Sequence, residues 1–224
     1  MPLILILVES GLELIPPEIK DHQSVKQNSK RTGFSNQLLD NALHHSAMKN
    51  LEDFEKRGRP DIVHNCLLNA LGSPLNKSGN LKVYIHTYQD KIFHINTYTR
   101  IPRNYNRFKG LMAKLLREGS ITHETIELIS SFNGDLISLI KSFKKREVII
   151  FSNTGRLLVK YQDLFEAGSS KNYIIIIGGF QRGKMSQEIL NLSKTLYSIS
   201  DYSLDAWVVV NKVISFYEII QDIK

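Results

Sequence analysis

Seven basic residues, Lys91, Arg100, Arg103, Arg107, Lys109, Lys114 and Arg117, stand between positions 91 and 117 with no Asp or Glu among them. Their summed charge equals the formal net charge of the whole 224-residue chain, +7. A basic helix is commonly no more than a solvated face. Here, however, Tyr98, Tyr105 and Phe108 are interleaved with the cations, and arginine offers a planar, bidentate grip on phosphate. Arg103 and Arg107 are four apart and are expected on one helical face near a helix start, where unpaired backbone N–H groups also favour phosphate. The segment reads as a nucleic-acid contact.

A second group is Gly178-Gly179-Phe180-Gln181-Arg182-Gly183-Lys184-Met185, directly after the apolar run that ends at Ile177. It matches G-x-x-x-x-G-K, but the next residue is Met185, where a phosphate-cradling loop needs a Ser or Thr hydroxyl for magnesium. No apolar strand ending in Asp supplies the second metal carboxylate, so a nucleotide triphosphatase is only the runner-up on this loop. The glycines mark either a close approach of backbone to a ligand or a tight turn.

A third group, Tyr197-Ser198-Ile199-Ser200-Asp201-Tyr202-Ser203-Leu204, precedes an apolar stretch from Ala206 to Ile220. Ser203 is expected to cap the helix that follows. That helix carries apolar residues around much of its circumference, which calls for burial on more than one face and so for a second subunit. Metal chemistry has little support, because His44, His45, His64, His86, His94 and His123 show no H-E-x-x-H spacing and Cys66 is the lone cysteine. That cysteine reads as a small buried hydrophobe in a reducing compartment, and no G-x-S-x-G motif suggests a nucleophilic triad.

The elements that would position these groups follow from periodicity. Pro2 to Val8 is a continuous apolar run without the flanks of a signal peptide, and is expected to be a buried strand. Positions 20–36 are almost wholly polar and read as a loop. Apolar steps of three and four predict helices over Asn36–Phe54 and from Pro60 to Leu71, the second opened by Pro60 and Asp61. Leu81–Thr87 and Ile92–Asn96 alternate as a hairpin. Helices are expected from Pro102 and around Ile126–Phe143. Val148–Phe151 and Ile174–Ile177 read as strands covered on both faces of a parallel sheet. The order implies an α/β fold with ligands at the carboxyl ends of the strands. A pI near 9.4 points to an anionic partner, nucleic acid or an acidic membrane surface. The Leu204–Ile220 stretch is interrupted by charge and is a poor membrane span, so a soluble, cytoplasmic protein is expected.

Taken in order, Arg59-Pro60-Asp61-Ile62-Val63-His64, Ser73-Pro74-Leu75-Asn76-Lys77-Ser78-Gly79, Val83-Tyr84-Ile85-His86-Thr87 and Arg100-Ile101-Pro102-Arg103 through Arg107-Phe108-Lys109-Gly110-Leu111-Met112 resemble the successive signatures of the ribosome-biogenesis pseudouridine-N1 methyltransferases. With the glycine loop and Ser198–Tyr202, the resemblance spans most of the chain. It is weakest over 18–36 and 118–147, and the segment between Gly183 and Ser198 is longer than in the eukaryotic versions.

The resemblance implies a SPOUT α/β fold, mostly parallel sheet, flanked by helices and ending in a C-terminal trefoil knot, against the general rule that chains are unknotted. One domain over 1–224 is expected, with an RNA-binding hairpin and basic helix over about 81–117 and a knotted cofactor region over about 148–224. S-adenosylmethionine would be held by Ser152, by Gly178 and Gly183, and by Ile199, Ser200, Asp201, Tyr202, Ser203 and Leu204. Arg59, Arg100, Arg103 and Arg107 match RNA-contacting arginines, and Asp61 matches the carboxylate that holds Arg59. The implied partners are a small-subunit ribosomal RNA stem-loop and a second copy of the chain, with ribosomal or assembly proteins as further candidates. Methyl transfer from a sulfonium needs positioning and the management of one proton, but no metal. Asp61 is a weak candidate for the general base, since an ion pair with Arg59 would make it a poor one. The competing class is a non-catalytic RNA-binding assembly factor on the same fold.

Overall fold

The structure, a computed structural model, describes residues 2–32 and 37–224. In chain order the elements are β1 (Leu3–Ser10), α1 (Gln23–Thr32), α2 (Asn41–Met48), α3 (Pro60–Gly72), α4 (Pro74–Lys77), β2 (Leu81–Thr87), β3 (Ile92–Ile95), α5 (Tyr105–Glu118), β4 (Ser120–His123), β5 (Ile126–Phe132), α6 (Leu136–Ser142), β6 (Arg146–Leu157), β7 (Asn172–Gly178), α7 (Gln187–Leu190), β8 (Leu196–Ser198) and α8 (Ala206–Ile220). The strands form a single sheet in the order β4-β5-β3-β2-β1-β7-β6-β8. Its five strands from β2 to β8 are parallel, and β3, β5 and β4 extend it antiparallel.

The continuous apolar runs are explained by helices on both sides. In β1, Leu3, Leu5 and Leu7 face one core with α3, α5 and α8, while Ile4, Ile6 and Val8 face another with α6 and α7. In β7, Ile175 and Ile177 join the first core, and Ile174 and Ile176 the second. Period-two alternation disappears because both faces are dry. Cys66 is fully buried in the first core, and that burial pushes its thiol far above the ordinary value.

Four expectations are corrected. The polar segment 20–36 contains α1, and positions 33–36 lie outside the described residues. Its contacts toward the core are largely polar: beside the buried Val25, buried Asn28 donates to Gln37 Oε1 at 2.6 Å and meets His44 Nε2 at 3.2 Å. An apolar period could not reveal such a helix. The helix expected over Asn36–Phe54 contracts to α2, because Asp40 caps it through Ala42 N–H and residues 49–57 run as turns, with Asp53 at φ +49. The stretch Ile126–Phe143 divides into β5 and α6 at Asn133-Gly134, with Asp135 capping the helix. Finally, α5 starts at Tyr105 with Asn104 as its cap, so Arg103 precedes the helix and does not share its face with Arg107.

Candidate active site

Residues 151–153 of β6, the carboxyl end of β7 with the loop after it, and the segment following β8 surround one cleft of about 730 Å³, measured with the open space at its mouth. Of the nine residues expected to hold a cofactor, Ser152, Gly178, Gly183, Ile199, Ser200, Tyr202, Ser203 and Leu204 line it. Asp201 is exposed and is not among the lining residues. Gly183 sits at φ +94, a backbone region that L side chains rarely adopt. Ser198 Oγ donates to the Ser200 carbonyl at 2.7 Å, and Tyr202 N–H donates to Ser200 Oγ at 3.1 Å. These two bonds shape the third loop. The helix cap expected at Ser203 is displaced to Asp205, which makes no side-chain capping bond, and Ser203 faces the cleft instead.

The cleft depends on an unusual crossing. Tyr197 pairs with Phe151 and again with Arg156, so residues 152–155 of β6 bulge out of register between the two pairings. At Gly155 an added Cβ would lie 2.7 Å from the Tyr197 carbonyl oxygen and 2.8 Å from its Cα. Only glycine lets the two backbones pass so closely. Periodicity could not single out this residue, because the contact is between segments about forty positions apart.

The glycine loop is not a phosphate cradle. No helix starts at Met185, the only helix after it in that connection is the four-residue α7, and Met185 is itself buried against the cleft. A phosphate site of that type needs the N-terminus of a substantial helix.

The arginines fall into two situations. Arg59, the residue before α3, donates from Nε to Asp61 Oδ1 at 2.7 Å and from Nη2 to Asp61 Oδ2 at 2.6 Å. The Asp61 bonds hold its guanidinium above the ordinary value. Arg100, Arg103 and Arg107 are exposed, and among the described residues none of them meets a carboxylate. Other cations of the same segment are partly neutralised: Lys109 pairs with Asp40 at 2.8 Å and Lys114 with Glu118 at 3.6 Å. His64 stacks on Phe108, with ring centroids 4.3 Å apart, and its Nε2 donates to the Pro102 carbonyl at 2.7 Å. It thereby fixes the stretch from which Arg103 projects.

A second hollow, of about 680 Å³ with its open space, adjoins the cleft and is lined by Asp40, Asn41, Ala42, Arg59, Asp61, Tyr105 and Gln181. Gln181 lines both. Tyr105 donates its hydroxyl to Asp40 Oδ2 at 3.2 Å, and burial, with the nearby Asp40 charge, pushes the phenol far up. It stays a neutral donor. Sequence reasoning missed Asp40, Tyr105 and Gln181 as neighbours of Arg59, because they come from three separated elements. Among the described residues no three His, Cys, Asp or Glu side chains gather as a metal site, and no helix is long and apolar enough to cross a membrane.

Known proteins resemble the chain over nearly its whole length. A family described as EMG1/NEP1 methyltransferase matches residues 5–218. The chain is 44% identical over 216 residues to the ribosomal RNA small subunit methyltransferase Nep1 of Staphylothermus marinus, covering 95% of this chain and 94% of that protein. It is 41% identical over 216 residues to the protein of the same name from Thermococcus onnurineus, covering 96% and 97%. The crystal structure of Archaeoglobus fulgidus Nep1 bound to S-adenosylhomocysteine superposes with a TM-score of 0.88 at 37% identity, over 98% of this chain and 99% of that one. The fold is accordingly the SPOUT fold.

Proposed function

Because the chain belongs to the EMG1/NEP1 methyltransferase family, we propose that it methylates N1 of a pseudouridine in small-subunit ribosomal RNA with S-adenosylmethionine as donor. The observation that carries this reading is the junction of two hollows at Gln181, one built from the cofactor-type loops and the other holding Arg59 and Asp61. Donor and acceptor sites would share a wall.

The cleft fits the donor. Gly183 holds a left-handed backbone, and apolar Phe151, Ile177 and Leu204 line the cleft together with Ser152 and Ser200. When bound, S-adenosylmethionine supplies a methyl group already activated by its sulfonium. The chain's own task is orientation and the exclusion of water. Arg100, Arg103 and Arg107 grip phosphates flanking the target, and the base is presented out of its stack. Arg59 is kept in one orientation by both Asp61 oxygens, so Asp61 acts on the RNA through Arg59 and not as a base. Tyr105, whose hydroxyl hydrogen is given to Asp40 Oδ2, lines the second hollow with an oxygen that can accept from the edge of a base.

The active form is proposed to be a homodimer in the cytoplasm. Val159 is 86% exposed, Ile219 63% and Leu157 39%. The first and third of these lie just before Tyr161, which stacks on Phe216 of α8 at 5.0 Å, so apolar surface gathers beside that helix.

Mass spectrometry of a stem-loop oligonucleotide incubated with the protein and S-adenosylmethionine tests the acceptor. A gain of one methyl group is expected only with pseudouridine at the target. In uridine the equivalent ring position is a C–H carbon without the nitrogen lone pair. Equal methylation of the uridine form, or methylation on ribose or phosphate, would refute the assignment, and a scaffold without activity would transfer nothing.

A further inference from the structure

The loop that carries Arg59 is fastened to the glycine loop by two side chains that line neither hollow. Lys56 Nζ donates to Glu9 Oε2 at 3.0 Å, and Glu9 Oε1 accepts from Ser186 N–H at 3.1 Å. The two side chains are only 13% and 12% exposed. Lys56 also lies against the loop itself. Its Nζ is 5.2 Å from the Phe180 ring centroid, and its Cε is 3.6 Å from the place of a Cβ on Gly183. Phe180, Gly183 and Met185, all on this arm of the loop, line the cofactor cleft.

The other arm is fastened by backbone. Gly11 N–H donates to the Gly179 carbonyl at 3.1 Å, and Arg59 N–H donates to the Gly11 carbonyl at 3.1 Å. Glu9 adopts φ +48, a conformation uncommon for a non-glycine residue. It is supported by its own N–H donating to His86 Nδ1 at 3.2 Å. Such a residue, over-determined by its surroundings, points to a positional task.

Resting on the methyltransferase reading above, we propose that Lys56 and Glu9 are positioning residues: they seat the far arm of the glycine loop at a height referenced to Arg59, so that the cofactor cleft and the RNA hollow stay in register. A shift of about 1 Å between reacting groups can cost two orders of magnitude in rate. A device that ties one loop to the other is suited to preventing it. The ligands of two sites joined in this way bind with coupled affinities, and the coupling is reciprocal.

The test uses the full chain, calorimetry with S-adenosylhomocysteine, binding of the stem-loop RNA without cofactor, and single-turnover transfer. Lys56→Met is expected to weaken S-adenosylhomocysteine on the order of tenfold and to slow transfer at saturating ligands, with RNA affinity in the absence of cofactor unchanged within about twofold. Lys56→Arg should restore both, since it keeps a cation within reach of Glu9. Glu9→Gln keeps an acceptor for Ser186 N–H and should fall between them. Normal cofactor affinity in both Lys56→Met and Glu9→Gln would overturn the inference. So would a parallel loss of cofactor and RNA affinity, the mark of a merely structural pair. A wild-type protein that fails to bind S-adenosylhomocysteine would overturn the methyltransferase reading itself; wild-type binding with indifferent variants overturns this inference alone.

Discussion

Replacing Gly155 by alanine tests the chain crossing on which the cofactor cleft rests. A Cβ there would stand 2.7 and 2.8 Å from the carbonyl oxygen and Cα of Tyr197, where ordinary contact begins at 3.4 Å. The Tyr197 carbonyl carbon would be nearer still, so one backbone must yield by about 1 Å. Neither can move freely, because Tyr197 is paired on both sides to β6 and Leu158 N–H donates to the Ser198 carbonyl at 2.8 Å. Overpacking of this kind costs about 1–3 kcal/mol, and for a chain of this size roughly 2–4 °C of melting temperature per kcal/mol. Tyr197 and Ser198 also line the cleft, so affinity for S-adenosylhomocysteine should fall together with stability. The control is Gly110→Ala, in the middle of α5 with nothing within 4 Å of its added carbon. It should raise stability by about 0.5–1 kcal/mol. Thermal melts and calorimetric titrations of the two variants give the answer. If Gly155→Ala melts and binds like the parent protein, Tyr197 does not cross the chain at that point and the account of the cleft is wrong.

Alanine at Arg100, Arg103 and Arg107 together should weaken RNA binding and lower the log–log salt slope by about 0.7–0.9 for each phosphate no longer gripped; unchanged affinity and slope over a salt series would reduce the segment to a solvated face. The folded-state values of His44, His86 and His94 are all lowered, chiefly by burial. Unfolded chains therefore bind more protons as pH drops below the ordinary value of 6.5, and the stabilisation from these neutral rings, complete above that value, is lost as pH falls through their folded values. Urea midpoints measured from pH 8 to pH 5 should decline, and His44→Gln should flatten part of that decline; a midpoint independent of pH would contradict the burial of neutral histidines. Light scattering at micromolar concentration should return twice the chain mass, and Val159→Asp should shift it toward one. A monomer at all concentrations would remove the apolar surface beside α8 as an interface.

Strands β1, β2, β3 and β7, helix α3 and the concentration of cations over 91–117 were legible in the residues, because each is encoded in a local pattern: burial on two faces, an alternating hairpin, a proline at a helix start, an absence of acids. The resemblance of ordered motifs supplied the SPOUT fold and the loops that line the cleft, which no periodicity contains. Local pattern failed where polar groups do the packing, as with Asn28 and His44 in α1 and α2, and where a short strand and a short helix abut, as at Asn133-Gly134. Only the tertiary structure separated the arginines 100, 103 and 107, which meet no carboxylate among the described residues, from Lys109, neutralised by an aspartate 69 positions away, and only it revealed Gly155 beneath Tyr197 and Lys56 between Glu9 and Phe180. The physical reason is common to all three. Ion pairing and close backbone approach are decided by distances through space between segments remote in sequence, and one sequence read along its length carries the identity of each partner but not their meeting.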